Sequence, residues 1–234
     1  MFCGERTLPE RQGSVCHFGY QILRINTIKF TWQRGRLNVL KMEDYPETYI
    51  SDTVSIGYVP GTAQILFVKT GQGSTIYGDE NKHLELAFYA NEKYGCSVFV
   101  SATLGESREV YDEEMRMVKR IVADPNPPIY YLGISKGGLL GCWYGADNPQ
   151  IKQLVSVNAP LMINFHNRTL PAIKAFSKER LTLLYGSLDP SFRYVPFVDR
   201  YANVVTVEGG DHNLKGASIS MREIVDKYLL FDIK

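Results

Sequence analysis

The chain has 234 residues, 44% of them hydrophobic and 22% charged, which suits one sizeable core and is short for two full domains. Its 26 basic and 25 acidic side chains leave a formal net charge of +1, so neither a nucleic-acid-binding basic stripe nor an acidic partner tail is indicated. No run of about 18 apolar residues is present to span a bilayer, and the opening MFCGERTLPERQGSVCHF has charges but no apolar signal core. The four cysteines, Cys3, Cys16, Cys96 and Cys142, have neither CxxC spacing nor the density of a disulfide scaffold. The expectation is a cytoplasmic protein with one domain over residues 1–234, poorly ordered over 1–18.

In chain order, GYQILRINTIKFTWQRGRLNVLKME reads as two strands turning near Arg34 and Gly35, and a polar connection follows Pro46. From Ala63 onward short apolar runs alternate with longer helical segments. The runs are AQILFVKT, CSVFVSA, PIYYLGI, IKQLVSVNA, RLTLLYG and ANVVTVE, continuous in hydrophobicity as strands buried on both faces are. Between them, ENKHLELAFYANEKYG ends at Gly95 as helices often do, and GESREVYDEEMRMVKRIV places acids before bases as the helix dipole favours. SMREIVDKYLL opens with Ser220 and Glu223 at capping-box spacing. This alternation predicts an α/β fold: a mostly parallel twisted sheet with helices on both faces and an antiparallel N-terminal edge.

Such sheets carry their chemistry at the carboxyl ends of the strands. There, IYYLGISKGG runs out of a strand into a helix start, with Ser135 between Gly133 and Gly137. The G-x-S-x-G pattern fits a strained strand-to-helix turn that lifts a serine hydroxyl above the sheet, and the glycines remove side chains that would clash. It also fits a glycine-rich turn with a capping serine. What separates the two is whether a base and an acid follow.

Of the four histidines, His17 lies in the N-terminal region, His83 in a helical segment and His166 in a connector. Only His212, in VEGGDHNLKG, directly follows a predicted strand. Asp189, in LLYGSLDPSF, also stands at a strand end, before a proline that stops the strand. Asp211 is the competing carboxylate, ranked lower because neighbouring loop side chains rarely converge. The order Ser135, Asp189, His212 is the one this kind of triad follows. Backbone donors for an oxyanion are then expected at Lys136, next to the serine, and at Gln72 in TGQGS, where Gly71 and Gly73 let backbone approach a ligand.

With these motifs in place, the sequence resembles the α/β-hydrolase-fold serine hydrolases over about residues 63–216, through TGQGS, GISKGG, YGSLDP and GGDH. The resemblance implies a nucleophilic serine, a late acid and a histidine near the C-terminus. Thr70 departs from it, standing where many members have histidine. GISKGG is also similar to the elbow of acyl-CoA thioesterases of the bile-acid acyltransferase group.

Residues 160–180 leave room for one helix and a loop, so a minimal lid or none is expected. Tyr77, Phe165 and Phe192, with Tyr194 and Phe197, are aromatic candidates for lining an acyl or aryl pocket. Lys136 either points to solvent or attracts an anionic substrate tail; as a cation in a first helical turn it opposes the dipole by a few tenths of a kcal/mol. No His, Cys or Asp cluster has metal-ligand spacing, and no cofactor motif appears. The expected substrate is a small carboxylic ester. A thioesterase or acyltransferase with the same triad, and a slow-turnover binding member of the fold, are the alternatives.

Overall fold

The computed structural model describes residues 21–24, 30–33, 36–39, 44–51, 54–217, 219–229 and 231. The segment 1–18, with Cys3, Cys16 and His17, lies outside the described residues, as does the turn at Arg34 and Gly35. Among the described residues three strands precede Pro46: β1 (Gln21–Arg24), β2 (Phe30–Gln33) and β3 (Arg36–Val39). β2 and β3 pair with each other in a separate antiparallel ribbon, while β1 joins the main sheet.

Two further strands follow where the sequence suggests a polar connection, β4 (Glu47–Ile50) and β5 (Ser55–Val59). Thr48, Tyr49, Ile56, Tyr58 and Val59 are all buried, and this β-branched and aromatic content outweighs the polar residues around it. Ser51 closes the turn by donating its N–H to Val54 O at 2.8 Å. Tyr58 stacks on Phe99 across the neighbouring strand, ring centroids 4.4 Å apart, which ties this antiparallel edge to the parallel part.

The parallel part comprises β6 (Thr62–Lys69), β7 (Cys96–Ser101), β8 (Ile129–Ile134), β9 (Ile151–Val157), β10 (Leu181–Gly186) and β11 (Asn203–Val207). The nine-stranded sheet runs β1-β4-β5-β7-β6-β8-β9-β10-β11, antiparallel from β1 to β7 and parallel from there on. Alternate residues of each strand face opposite layers. Phe67, Tyr131 and Leu183 meet α2 (Arg108–Val122), α3 (Lys136–Tyr144) and α4 (Leu170–Lys174). Leu66, Leu132 and Leu184 meet α1 (Lys82–Tyr94) and α5 (Met221–Tyr228). Cys96 and Cys142 are buried thiols in these cores, and burial pushes both up to about 12.

The helix ends follow their local sequence. α1 stops at Gly95, whose φ of 67° supplies the left-handed C-cap. Ser107 caps α2 by accepting from Val110 N–H, and Ser220 and Glu223 complete the capping box of α5. Between β9 and β10 the chain makes only short helical turns and the five-residue α4, so no large cap covers the rim. No helix among the described residues is long and apolar enough to cross a membrane.

Candidate active site

Since β6 to β11 run parallel, the loops that follow them emerge on one rim. Ser135 follows β8 directly, with φ 50° and ψ −118°, a strained backbone for a residue with a side chain. The strain is held by its surroundings. Ser135 N–H donates to Val157 O at 2.7 Å, and its carbonyl accepts from Leu139 N–H at 3.1 Å as α3 begins. The flanking glycines are required by contact. A Cβ on Gly133 would lie 2.4 Å from Gly138 Cα, and one on Gly137 2.2 Å from Lys69 O. α3 therefore starts against the end of β6, and the serine rides above the junction.

Three candidates meet there. Ser135 Oγ and His212 Nε2 are 3.0 Å apart, and His212 Nδ1 lies 2.5 Å from Asp189 Oδ2. Asp189 is 4% exposed, so its carboxylate faces the imidazole with little competition from water. Its other oxygen accepts the Ser191 N–H at 2.6 Å, which fixes the carboxylate plane. Asp211, the competing acid, turns back into its own loop and accepts from Asn213 N–H and Lys215 N–H, each at 2.8 Å. His83 is buried in α1 with Nδ1 3.1 Å from Thr75 O, and His166 is exposed beside the Phe165 ring.

Residues 71–74 form a turn closed by Ser74 N–H donating to Gly71 O at 3.2 Å, with Gly73 at φ 75° as a type II turn requires. Gly71 borders the nucleophile: a Cβ there would stand 3.3 Å from Ser135 Cβ. The Lys136 N–H opens α3, where no intrahelical acceptor exists. The Lys136 ammonium does not extend freely into solvent. It pairs with Glu106, from the loop after β7, and donates to Gln72 Oε1 at 3.4 Å.

The aromatic candidates do not form one wall. Phe165 and Phe192 belong to the α2–α4 layer, where the Phe165 ring meets Tyr194 at 4.8 Å and Phe197 at 5.9 Å. Tyr77 packs on the opposite layer, donates its hydroxyl to Asp44 at 2.6 Å and lies against Tyr45.

The sequence reading missed a buried group that joins these loops. Asn158 ends β9 at φ 48° and is 1% exposed. Its Oδ1 accepts Gly186 N–H at 2.9 Å; its Nδ2 donates to Asp211 O at 3.1 Å and His212 O at 2.8 Å. One side chain thus fastens the acid-bearing strand end to the histidine loop. The signal was available, since the apolar run IKQLVSVNA ends in an asparagine on the same rim as the serine.

Beneath the 71–74 turn lies a second polar network. Lys69 Nζ meets both oxygens of Glu114 at 2.8 and 2.9 Å and donates to Thr103 O at 3.0 Å. Burial pulls the Lys69 ammonium below the ordinary lysine value, and Glu114 opposes that pull. A cation at the last residue of β6 is thereby anchored to α2, directly before the turn that borders Ser135.

The strand order, the serine elbow on β8 and the acid and histidine after β10 and β11 define an α/β-hydrolase fold. No family model and no curated protein sequence matches the chain. Among solved structures it is similar to Est1E from Butyrivibrio proteoclasticus, 15% identical over 76% of this chain and 93% of that one, with a TM-score of 0.56. It is also similar to an alpha-beta serine hydrolase homologue from Coxiella burnetii, 15% identical over 87% and 97% of the two chains, TM-score 0.55. A third is XC6422 from Xanthomonas campestris, described as an a/b serine hydrolase without lid, 15% identical over 74% and 86%, TM-score 0.51.

Proposed function

We propose that the chain is a lidless serine hydrolase that cleaves a small carboxylic ester through an acyl-enzyme on Ser135. The observation that carries this is the hydrogen-bonded line from Ser135 Oγ through His212 to the buried Asp189. A strained turn that holds a serine against an imidazole is hard to explain as packing, and strain of this kind clusters at functional sites. The names of solved neighbours, which include esterases, support ester hydrolysis.

In this mechanism Ser135 Oγ attacks the ester carbonyl as His212 Nε2 takes its proton. Asp189 accepts from Nδ1, keeping the tautomer in which Nε2 is the base and stabilising the imidazolium. The charge that forms on the carbonyl oxygen is met by the N–H groups of Lys136 and Gln72. Collapse expels the alcohol, which receives its proton from Nε2 and leaves the acyl group on Oγ. Water then attacks that acyl group with His212 again as base, releasing the acid and restoring Ser135.

The test is fluorophosphonate labelling of the folded protein beside Ser135→Ala, with the adduct located by peptide mapping. Labelling at Ser135 that disappears in the variant is the expected result. A folded protein that takes no label overturns the proposal.

A further inference from the structure

A crevice of about 60 Å³ opens between the 71–74 turn and the loop after β7, against the start of α3. Its lining includes two lysines, Lys69 and Lys136, and no acidic residue. The two cations are not equivalent. Lys69 is held in the core by Glu114, side chains 4% and 3% exposed, so its charge is committed. Lys136 has Glu106 as its charged partner, with a side chain 54% exposed that stands outside the lining, and its other acceptor is the neutral Gln72 Oε1. An exposed ion pair of this kind contributes little, so a better anion can displace Glu106 into solvent.

Three other features suit the crevice to an anion. It abuts the N-terminal end of α3, where partial positive charge gathers. One wall is the turn of residues 71–73, where Gly71 and Gly73 have no side chain to cover the main chain. Thr70 also lines the crevice; it is 4% exposed, and its buried hydroxyl, which can donate as well as accept, has no hydrogen-bond partner among the described residues. A buried hydroxyl without a partner is costly and calls for an explanation.

We propose that this crevice is an anion subsite, and that the ester cleaved here carries a carboxylate within a few bonds of the scissile carbonyl. The inference rests on the serine-hydrolase reading of the adjoining triad and narrows its substrate class. A carboxylate suits the site better than a phosphate. The volume admits only a few water-sized groups, and one exchangeable ammonium balances one charge rather than two. The link to catalysis is direct, because the N–H and the ammonium of Lys136 belong to one residue. A substrate anion drawn to the ammonium places its carbonyl near the oxyanion donors.

The test compares esters whose distal group is a carboxylate or the neutral primary amide of the same shape: monomethyl glutarate against methyl 4-carbamoylbutanoate for an acid on the acyl side, and pentanoyloxyacetate against pentanoyloxyacetamide for an acid on the alcohol side. In the wild type, kcat/KM should favour the acidic member of at least one pair by about tenfold or more. Lys136→Met should bring that ratio close to one. Glu106→Gln, which releases the ammonium, should raise it, and a variant that merely folds poorly lowers both members of a pair alike. Turnover of neutral esters with no preference for the acids, or a preference unchanged in Lys136→Met, overturns the subsite and leaves the hydrolase reading standing. Failure to cleave any ester, with no fluorophosphonate labelling of Ser135, overturns both.

Discussion

The Asn158 amide donates to the backbone carbonyl of His212 at 2.8 Å, while its own oxygen accepts from Gly186 at the end of the strand that precedes Asp189. The imidazole and its carboxylate partner are therefore fixed relative to each other by a third residue that touches neither ring nor carboxylate in these bonds. Every polar atom of the Asn158 side chain takes part, which a buried amide requires.

Replacing Asn158 tests how much of the site rests on that bond set. Asn158→Gly keeps a backbone that accepts φ 48° but removes the clip, and Asn158→Asp keeps the acceptor for Gly186 while losing both donations. Either change should lower kcat by about 10- to 100-fold through misplacement of His212, with a smaller effect on KM. Rates should be normalised to the fraction of Ser135 that accepts a fluorophosphonate, so that unfolded protein does not count. Equal kcat per labelled site in wild type and variants would show that the loop holds the histidine without help.

The elbow glycines should be intolerant for a reason different from that of Gly73. A Cβ at Gly137 meets backbone, Lys69 O at 2.2 Å, so α3 and β6 would have to part. Gly137→Ala is expected to lose about 3 kcal/mol or more, at the upper end of overpacking effects. At Gly73 the space is open, and only its φ of 75° opposes a side chain. Gly73→Ala should lose about 1–2 kcal/mol. Denaturant unfolding of the two variants separates a steric clash from a conformational penalty, and equal losses would contradict the distinction.

The strand ends carried most of what the sequence could tell. Ser135, Asp189 and His212 each follow a continuous apolar run, and a parallel sheet brings such ends to one rim whatever the details of packing. The glycines around Ser135 announced a close approach because nothing larger than hydrogen fits. The clip made by Asn158 was harder to see, since its partners are main-chain atoms of residues 28, 53 and 54 positions away. A side chain bonded to backbone leaves no complementary residue to find. Lys69 and Glu114 were hidden differently: a charged residue in a strand run and another in a polar helix look like surface until the fold buries both. β4 and β5 were lost among polar neighbours, because two short antiparallel strands lack the long apolar runs of β6 to β10.

That buried pair makes a stability prediction of its own. Removing one partner leaves the other as an uncompensated charge in the core, so Lys69→Met and Glu114→Met should each lose about 3–5 kcal/mol. The double variant should recover much of this, since two apolar side chains of similar volume can replace a buried pair at little loss. If the double variant is as unstable as the singles by denaturant unfolding, the pair is not the anchor of β6 to α2.

Acid should loosen the packing of α5 on α1 through Asp226. This carboxylate, on α5, accepts from Tyr89 at 2.7 Å and Tyr94 at 2.6 Å and pairs with Lys93 at 2.8 Å, all three on α1. Burial alone would raise its titration, but the donors of Lys93, Tyr94 and Tyr89 together outweigh burial and hold it below the usual carboxylate value. Because the folded value is the lower one, the linkage stabilises the fold above the unfolded value of about 4 and is lost as pH falls further. Glu223, at the α5 N-terminus, is lowered by the Ser220 N–H and hydroxyl and adds a slope of the same sign. Thermal unfolding of wild type and Asp226→Asn, each in a Glu223→Gln background, isolates the first contribution. The difference in midpoint should be largest near neutral pH and shrink below about pH 4. A difference that stays constant through that range would mean that the Asp226 charge does not hold α5 to α1.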